Sequence, residues 1–237
     1  MVNTKVVMGL SGGMDSSTLL GFLLGKKYEV HCCNFVYGSK HNKYEIQAAD
    51  QVIGYYKDKG FPVYGHQFDL SNWMASFKSA LMLSGEEIPE GHYNDDNMKK
   101  TVVPGRNLIF TSIMAGLAES IGAESVHLGI HAGDHHIYPD CRPDFLYAVD
   151  EAVRFSSDLK VRVRAVFLRF TKKDILKIGY SIQPVVPYHL TRTCYKDQPI
   201  SCGKCGSCQE RLEAFSLINK VDPIEYEKYP INEIRKG

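Results

Sequence analysis

No apolar run in this chain approaches the length of a membrane span, and no repeat or low-complexity tract interrupts it. Surplus charge is also missing. Formal net charge is +1, so no bulk field draws the protein to nucleic acid or to a membrane surface. The opening Met-Val-Asn-Thr-Lys leads straight into an apolar stretch, which leaves no room for a signal peptide. The seven cysteines are an odd count, and four crowd near the C-terminus in metal-ligand spacing. That favours a reducing cytoplasm with bound zinc over a secreted disulfide framework. Two familiar phosphate-binding signatures are absent as well. A Walker pattern starting at Gly9 would need Gly and then Lys where Met14 and Asp15 stand, and no G-x-G-x-x-G occurs.

What is present is Leu10-Ser11-Gly12-Gly13-Met14-Asp15-Ser16-Ser17, between the apolar runs Lys5–Leu10 and Thr18–Leu24. The first run reads as a buried strand and the second as a helix packed on a sheet. A Gly-Gly pair between them lets the backbone turn sharply and approach a ligand. Asp15, Ser16 and Ser17 suit a helix start, where free N–H groups and the positive end of the dipole favour an anion. A phosphate there would also meet the hydroxyls of Ser11, Ser16 and Ser17. The expected nucleotide-binding stretch is therefore Met8, Gly9, Leu10, Ser11, Gly12, Gly13, Met14, Asp15, Ser16, Ser17 and Thr18. It resembles the PP-loop of the N-type ATP pyrophosphatases, which implies cleavage of ATP between the α- and β-phosphates.

Composition, 44% hydrophobic and 23% charged over 237 residues, is that of an ordinary globular protein, one α/β domain with an appendage. Strands are expected at Tyr28–Tyr37 and Pro62–Leu70, with a helix over His41–Lys59 between them. The order β-α-β-α-β predicts a parallel sheet with ligands at the carboxyl ends of its strands. Ser71–Leu83 has helical character, and 84–100 reads as a long polar loop, either a lid or a surface insertion. A helix over Leu108–Ile121, a strand at Ser125–Ile130 and a functional turn at His131–Pro143 follow. Beyond them lie a helix over Asp144–Phe155, a strand at Val161–Leu168 and a helix opened by a capping box at Thr171 and Asp174. The chain divides by character into 1–186 and 187–237.

In the second part Cys194, Cys202, Cys205 and Cys208 form C-x7-C-x2-C-x2-C, with Gly203 and Gly206 inside the knuckles. Four thiolates suit a closed tetrahedral zinc site with no open position for a catalytic water, so a structural metal is expected. A redox pair and an iron–sulfur cluster are the competing readings. Gln209–Asn219 reads as a closing helix.

Three further stretches accompany the loop: Val103-Pro104-Gly105-Arg106-Asn107, Gly129–His135 with Tyr138–Arg142, and the four cysteines. Together they resemble the QueC family, the 7-cyano-7-deazaguanine synthases of the queuosine pathway, from Lys5 to Phe215. The resemblance implies an adenine nucleotide α-hydrolase-like, Rossmann-like parallel α/β domain with a small zinc-binding extension, assembled as a homodimer. It implies ATP and Mg²⁺, a deazapurine carboxylate and ammonia, and conversion of the carboxylate to a nitrile through an acyl adenylate and an amide. Within that frame Ser11, Asp15, Ser16 and Arg106 are the expected catalytic residues. Asp15 is either a magnesium partner or a helix cap. Arg106, Asn107, His131, Asp134, Tyr138, Asp140 and Arg142 are expected at the substrate: Arg106 or Arg142 for a carboxylate, Asp134 or Asp140 for a guanine-type edge, Tyr138 for stacking. Three rivals keep parts of the pattern: an adenylating enzyme with a protein or nucleic-acid acceptor, a tRNA-thiolating enzyme, and a zinc-ribbon module.

Overall fold

A computed structural model describes residues 3–90, 96–156 and 158–228. Five strands, β1 (Lys5–Gly9), β2 (Glu29–Val36), β3 (Val63–Asp69), β4 (Ser125–His127) and β5 (Arg162–Arg164), form one parallel sheet in the order β3-β2-β1-β4-β5. The chain winds outward from β1 to β3 and then resumes on the other side of β1 with β4 and β5. The crevice at the carboxyl ends of β1 and β4 is thus a topological switch point, where such sheets bind ligands.

Period-2 alternation sorts the side chains of the central strands to two faces. Val6 and Met8 of β1, with Val30 and Cys32 of β2, pack against α1 (Met14–Gly25) and α2 (Asn42–Lys57) through Leu19, Leu23, Val52 and Tyr56. Val7, Cys33 and Phe35 meet Met114 and Ala118 of α4 (Arg106–Ile121) and share a core with Leu146 and Val149 of α5 (Pro143–Ser156). Helix α1 is apolar all round because it lies between the sheet and α6 (Lys172–Ser181), whose Ile175 belongs to the same core. The predicted capping box is present: Thr171 Oγ1 accepts from Asp174 N at 3.3 Å, and Asp174 accepts from Thr171 N at 3.1 Å. Helix α7 (Gly206–Ser216) packs Ala214 and Phe215 against Met14, Leu176 and Tyr188, which ties the C-terminal segment to the start of α1.

Three sets of expectations change. Helix α3 is confined to Ser71–Met74 instead of reaching Leu83. The strands expected at Ser125–Ile130 and Val161–Leu168 shrink to three residues each, since β4 and β5 pair only there before the chain turns toward the crevice. Asp15, Ser16 and Ser17 do not cap α1: its N-cap is Gly13, with no side-chain cap bond. The centre of the polar loop, 91–95, lies outside the described residues. Its described flanks are tied down, by Lys40 Nζ donating to Gly85 O at 3.1 Å and by Lys196 paired with Glu90 at 2.8 Å. Among the described residues no helix is long and apolar enough to cross a membrane.

Candidate active site

A cavity of about 260 Å³ opens where β1, β2 and β4 end. Its floor is the glycine turn. Gly12 has φ +74°, and a Cβ there would sit 2.6 Å from Ala49 N, so no other residue fits without moving α2. Around the bend Ser11 and Ser16 hold their hydroxyls 3.1 Å apart, and Ser16 Oγ donates to Gly13 O at 3.2 Å. Two hydroxyls and the start of α1 therefore face the same space.

Charge is concentrated beside this turn. Asp15 Oδ2 lies 3.6 Å from Lys172 Nζ and 3.6 Å from His131 Nε2, and His131 Nε2 is 3.4 Å from Asp134 Oδ2. Burial by itself would raise the Asp15 carboxyl. Lys172, and after it His131, outweigh burial and hold the carboxyl down to about 2. Burial works against a charged His131 too, but Asp134 and Asp15 pull its pKa up to about 9. The Gly133 N–H lies 3.1 Å from His131 Nδ1 and donates to it in the neutral ring, the tautomer whose Nε2 proton faces the two carboxylates. Lys172 is held on its other side by Glu210 of α7.

Across the cavity Arg106 stands over the Tyr138 ring, 5.9 Å from its centroid, with Nη1 3.5 Å from Tyr37 Oη. Of the residues expected from sequence, Gly9, Leu10, Ser11, Gly13, Asp15, Ser16, Arg106, Asn107, His131, Asp134 and Tyr138 line this one space. Met8, Gly12, Met14, Ser17 and Thr18 stand behind its wall, Thr18 Oγ1 donating to Met14 O at 2.8 Å. Two of the expected substrate residues point elsewhere. Asp140 Oδ2 accepts from Asn107 N at 3.0 Å, capping the first turn of α4. Arg142 is exposed, and its Nε donates to His135 O at 2.9 Å. Cys141 is buried, and burial pushes its thiol well up, as expected of a packed rather than a nucleophilic cysteine.

Sequence reasoning missed Glu45, Lys172, Arg192 and Tyr195, all on the cavity wall. Lys172 did carry a signal. It is the first residue of α6, where a cation opposes the helix dipole and therefore needs another purpose.

The four C-terminal cysteines are buried, and their sulfurs all lie within 4.8 Å of one another. Cys202 Sγ is 3.9 Å from Cys208 Sγ, close to the edge of about 3.8 Å that a tetrahedron of ~2.3 Å metal–sulfur bonds requires. Backbone N–H groups of Cys202 and Lys196 donate to Cys194 Sγ at 3.4 Å, and those of Lys204 and Cys205 to Cys202 Sγ at 3.4 and 3.3 Å. Such donors stabilise thiolates, so the group can hold a metal ion.

Comparison with known proteins bears on the whole chain. The model of the family described as Queuosine biosynthesis protein QueC matches residues 5–219. A 7-cyano-7-deazaguanine synthase of Pseudoalteromonas atlantica is 42% identical over 94% of this chain and 99% of its own length. Relatives of the same name from Caldicellulosiruptor saccharolyticus and Archaeoglobus fulgidus are each 42% identical, over 94% and 93% of this chain and 96% and 89% of their own. Among solved structures, the U34-tRNA thiolase NcsA of Methanococcus maripaludis covers 92% of this chain and 66% of its own at TM-score 0.49 and 15% identity, too distant to bear on function. A parallel sheet with its glycine turn at the switch point, a four-cysteine cluster and full-length similarity agree: the chain belongs to the QueC family of queuosine biosynthesis proteins.

Proposed function

We propose that this protein is an ATP-dependent carbon–nitrogen ligase that converts 7-carboxy-7-deazaguanine and ammonia into 7-cyano-7-deazaguanine. The observation that carries this reading is the convergence, in one cavity, of the glycine turn, the Asp15–Lys172 pair and the Arg106 guanidinium. Such a site suits adenylation, which needs a carboxylate held in line with an α-phosphorus and a pyrophosphate neutralised as it leaves. Arg106 offers the planar fork that fits the substrate carboxylate. Lys172, with Ser11 and Ser16, meets the departing phosphates. His131 and Asp134 orient Asp15, while Asn107 and Tyr138 bound the deazapurine. The carboxylate oxygen bonds to the α-phosphorus and pyrophosphate leaves. Ammonia then bonds to the acyl carbon, AMP leaves, and an amide forms. A second adenylation, on the amide oxygen, and loss of AMP and protons give the nitrile.

Asp15 Oδ1 is buried and has no hydrogen-bond partner among the described residues. A hard cation takes carboxylate oxygens, so Asp15 fits Mg²⁺, which when bound supplies charge neutralisation to the phosphate oxygens. Cys194, Cys202, Cys205 and Cys208 fit zinc, which when bound clamps the 187–237 segment onto the 1–186 nucleotide domain. A homodimer in a reducing cytoplasm completes the reading, the described cysteines all being free of disulfides.

The test is incubation of the purified protein with the carboxylate, ATP, Mg²⁺ and ammonium, followed by mass spectrometry. Nitrile accompanied by two AMP is the expected result. AMP that appears only when a protein or nucleic acid is added would overturn the assignment of ammonia as acceptor.

A further inference from the structure

Conversion of an acyl adenylate to an amide needs neutral ammonia, whereas at neutral pH nearly all of it is ammonium. Some group at the site must therefore take a proton, and most cavity-lining groups are unsuited. Asp15 is committed to Lys172 and His131, and Asp134 to His131. The thiols of Cys33 and Cys141 and the phenols of Tyr37 and Tyr195 keep their protons, burial raising all four. One pair is left, on the first turn of α2.

His41 Nε2 lies 3.3 Å from Glu45 Oε2, and both residues line the cavity. The His41 side chain is 4% exposed and that of Glu45 21%, so the carboxylate is the one that reaches the open space. Their placement is rigid. Asn42 Oδ1 accepts from the N–H groups of Tyr37 and Ser39 at 3.1 and 2.9 Å, and Asn42 Nδ2 donates to Phe35 O at 2.9 Å. These bonds lock the β2–α2 connection on which the pair rides. His41 Nδ1 is buried without a partner among the described residues, as is right for a neutral ring whose Nε2–H points at Glu45.

We propose that Glu45 is the catalytic base that converts ammonium to ammonia for attack on the acyl adenylate, with His41 as its positioning residue. This rests on the adenylation reading above. The ammonium transfers one proton to the Glu45 carboxylate, leaving ammonia and a carboxylic acid. The ammonia nitrogen bonds to the acyl carbon, the bond from that carbon to the AMP oxygen breaks, and the second proton leaves with the AMP phosphate. Glu45 then returns its proton to solvent.

The surroundings suit the transfer. Burial raises the Glu45 carboxyl to about 7, with Arg106 of α4 and Arg192 of the metal-binding segment drawing it part of the way back. A base with that value is matched to neutral conditions. The same burial, reinforced by both guanidinium groups, holds His41 down to about 3, so its ring stays neutral. The other titratable groups facing the pair are Tyr37 at the end of β2 and Tyr195, whose ring centroid is 5.6 Å from that of His41. Two nearby cations disfavour a third, which drives an arriving ammonium to give up its proton.

The test separates two steps in the full-length, metal-loaded enzyme. Pyrophosphate exchange with the carboxylate and ATP reports adenylation, and amide formation at varied ammonium reports the transfer. In Glu45→Gln, amide formation at pH 7 is expected to fall about 100-fold, a usual magnitude for loss of a general base, with exchange falling far less. The variant's residual rate should climb with pH in proportion to free ammonia, while the wild-type rate levels off above about 7. Glu45→Asp, a carboxylate one methylene shorter, should recover part of the loss. Equal losses in exchange and amide formation, or an undiminished amide rate in Glu45→Gln, would overturn the assignment. Absence of exchange in the wild type would instead overturn the adenylation reading itself.

Discussion

The main-chain N–H of Arg192 donates to the carbonyl of Gly12 at 2.8 Å. One hydrogen bond thus joins the segment that carries the four cysteines to the glycine turn at the floor of the cavity. The Arg192 guanidinium reaches the other way, donating to the carbonyls of Lys196, Gln198 and Pro199 at 2.9, 2.6 and 3.1 Å, within the loop between the first and second cysteine.

Metal removal should therefore be felt at the nucleotide. Elemental analysis is expected to give one zinc per chain. Chelation should weaken binding of a non-hydrolysable ATP analogue at least tenfold by calorimetry, together with loss of helical signal. Apoprotein that binds the analogue with undiminished affinity would show that the segment is not needed to shape the turn.

Replacing Lys172 with Met removes the cation beside Asp15 and leaves Glu210 buried without its partner. Loss of one charge-stabilising group of this kind costs about 10²–10³ in rate. Pyrophosphate exchange should drop by that factor. Asp15→Asn should drop it comparably, and the double variant by less than the product, because the two groups act as a unit. Multiplicative losses would place them in separate roles.

Arg211 is completely buried. Its Nε and Nη2 donate to Asp222 at 2.7 and 2.9 Å, and Nη1 to Thr191 Oγ1 at 2.8 Å. Breaking a buried pair by removing one partner costs about 3–5 kcal/mol, because the other charge is left without compensation. Arg211→Met should lower the denaturant midpoint accordingly. Arg211→Met combined with Asp222→Asn should recover part of the loss.

Acid should destabilise the protein through His41. Its folded-state pKa, about 3, lies below the ordinary 6.5. The unfolded chain therefore binds the proton first, so this contribution is fully present above about 6.5 and is lost as pH falls toward 3. The slope is up to ~1.4 kcal/mol per pH unit for one proton. Denaturant titrations between pH 6.5 and 4 should show a shallower decline in His41→Gln than in wild type. Parallel declines would mean that His41 is not held neutral.

The glycine turn, the first three strands with their helices, the capping box at Thr171 and the four-cysteine spacing were legible in the sequence, since each rests on neighbours along the chain. Periodicity and turn chemistry operate over a few residues, and so does the curl of a backbone around a metal. Asp140 shows the limit of that kind of inference. Its composition and place in a polar turn suit a ligand contact, yet it caps α4, because the register of the turn against Asn107 is a long-range fact. Glu45 was invisible for the same reason, being an ordinary helix residue until the sheet order brings it to the cavity.

Sequence by itself determined the chemistry available: a turn able to receive phosphate, an arginine beside a helix start, and four thiols spaced for one ion. Only the tertiary structure decided which charges meet. Ion pairs such as Asp15 with Lys172 join residues far apart in the chain. Their effect depends on burial and on separations of a few ångströms, quantities that exist only once β1 and β4 are side by side.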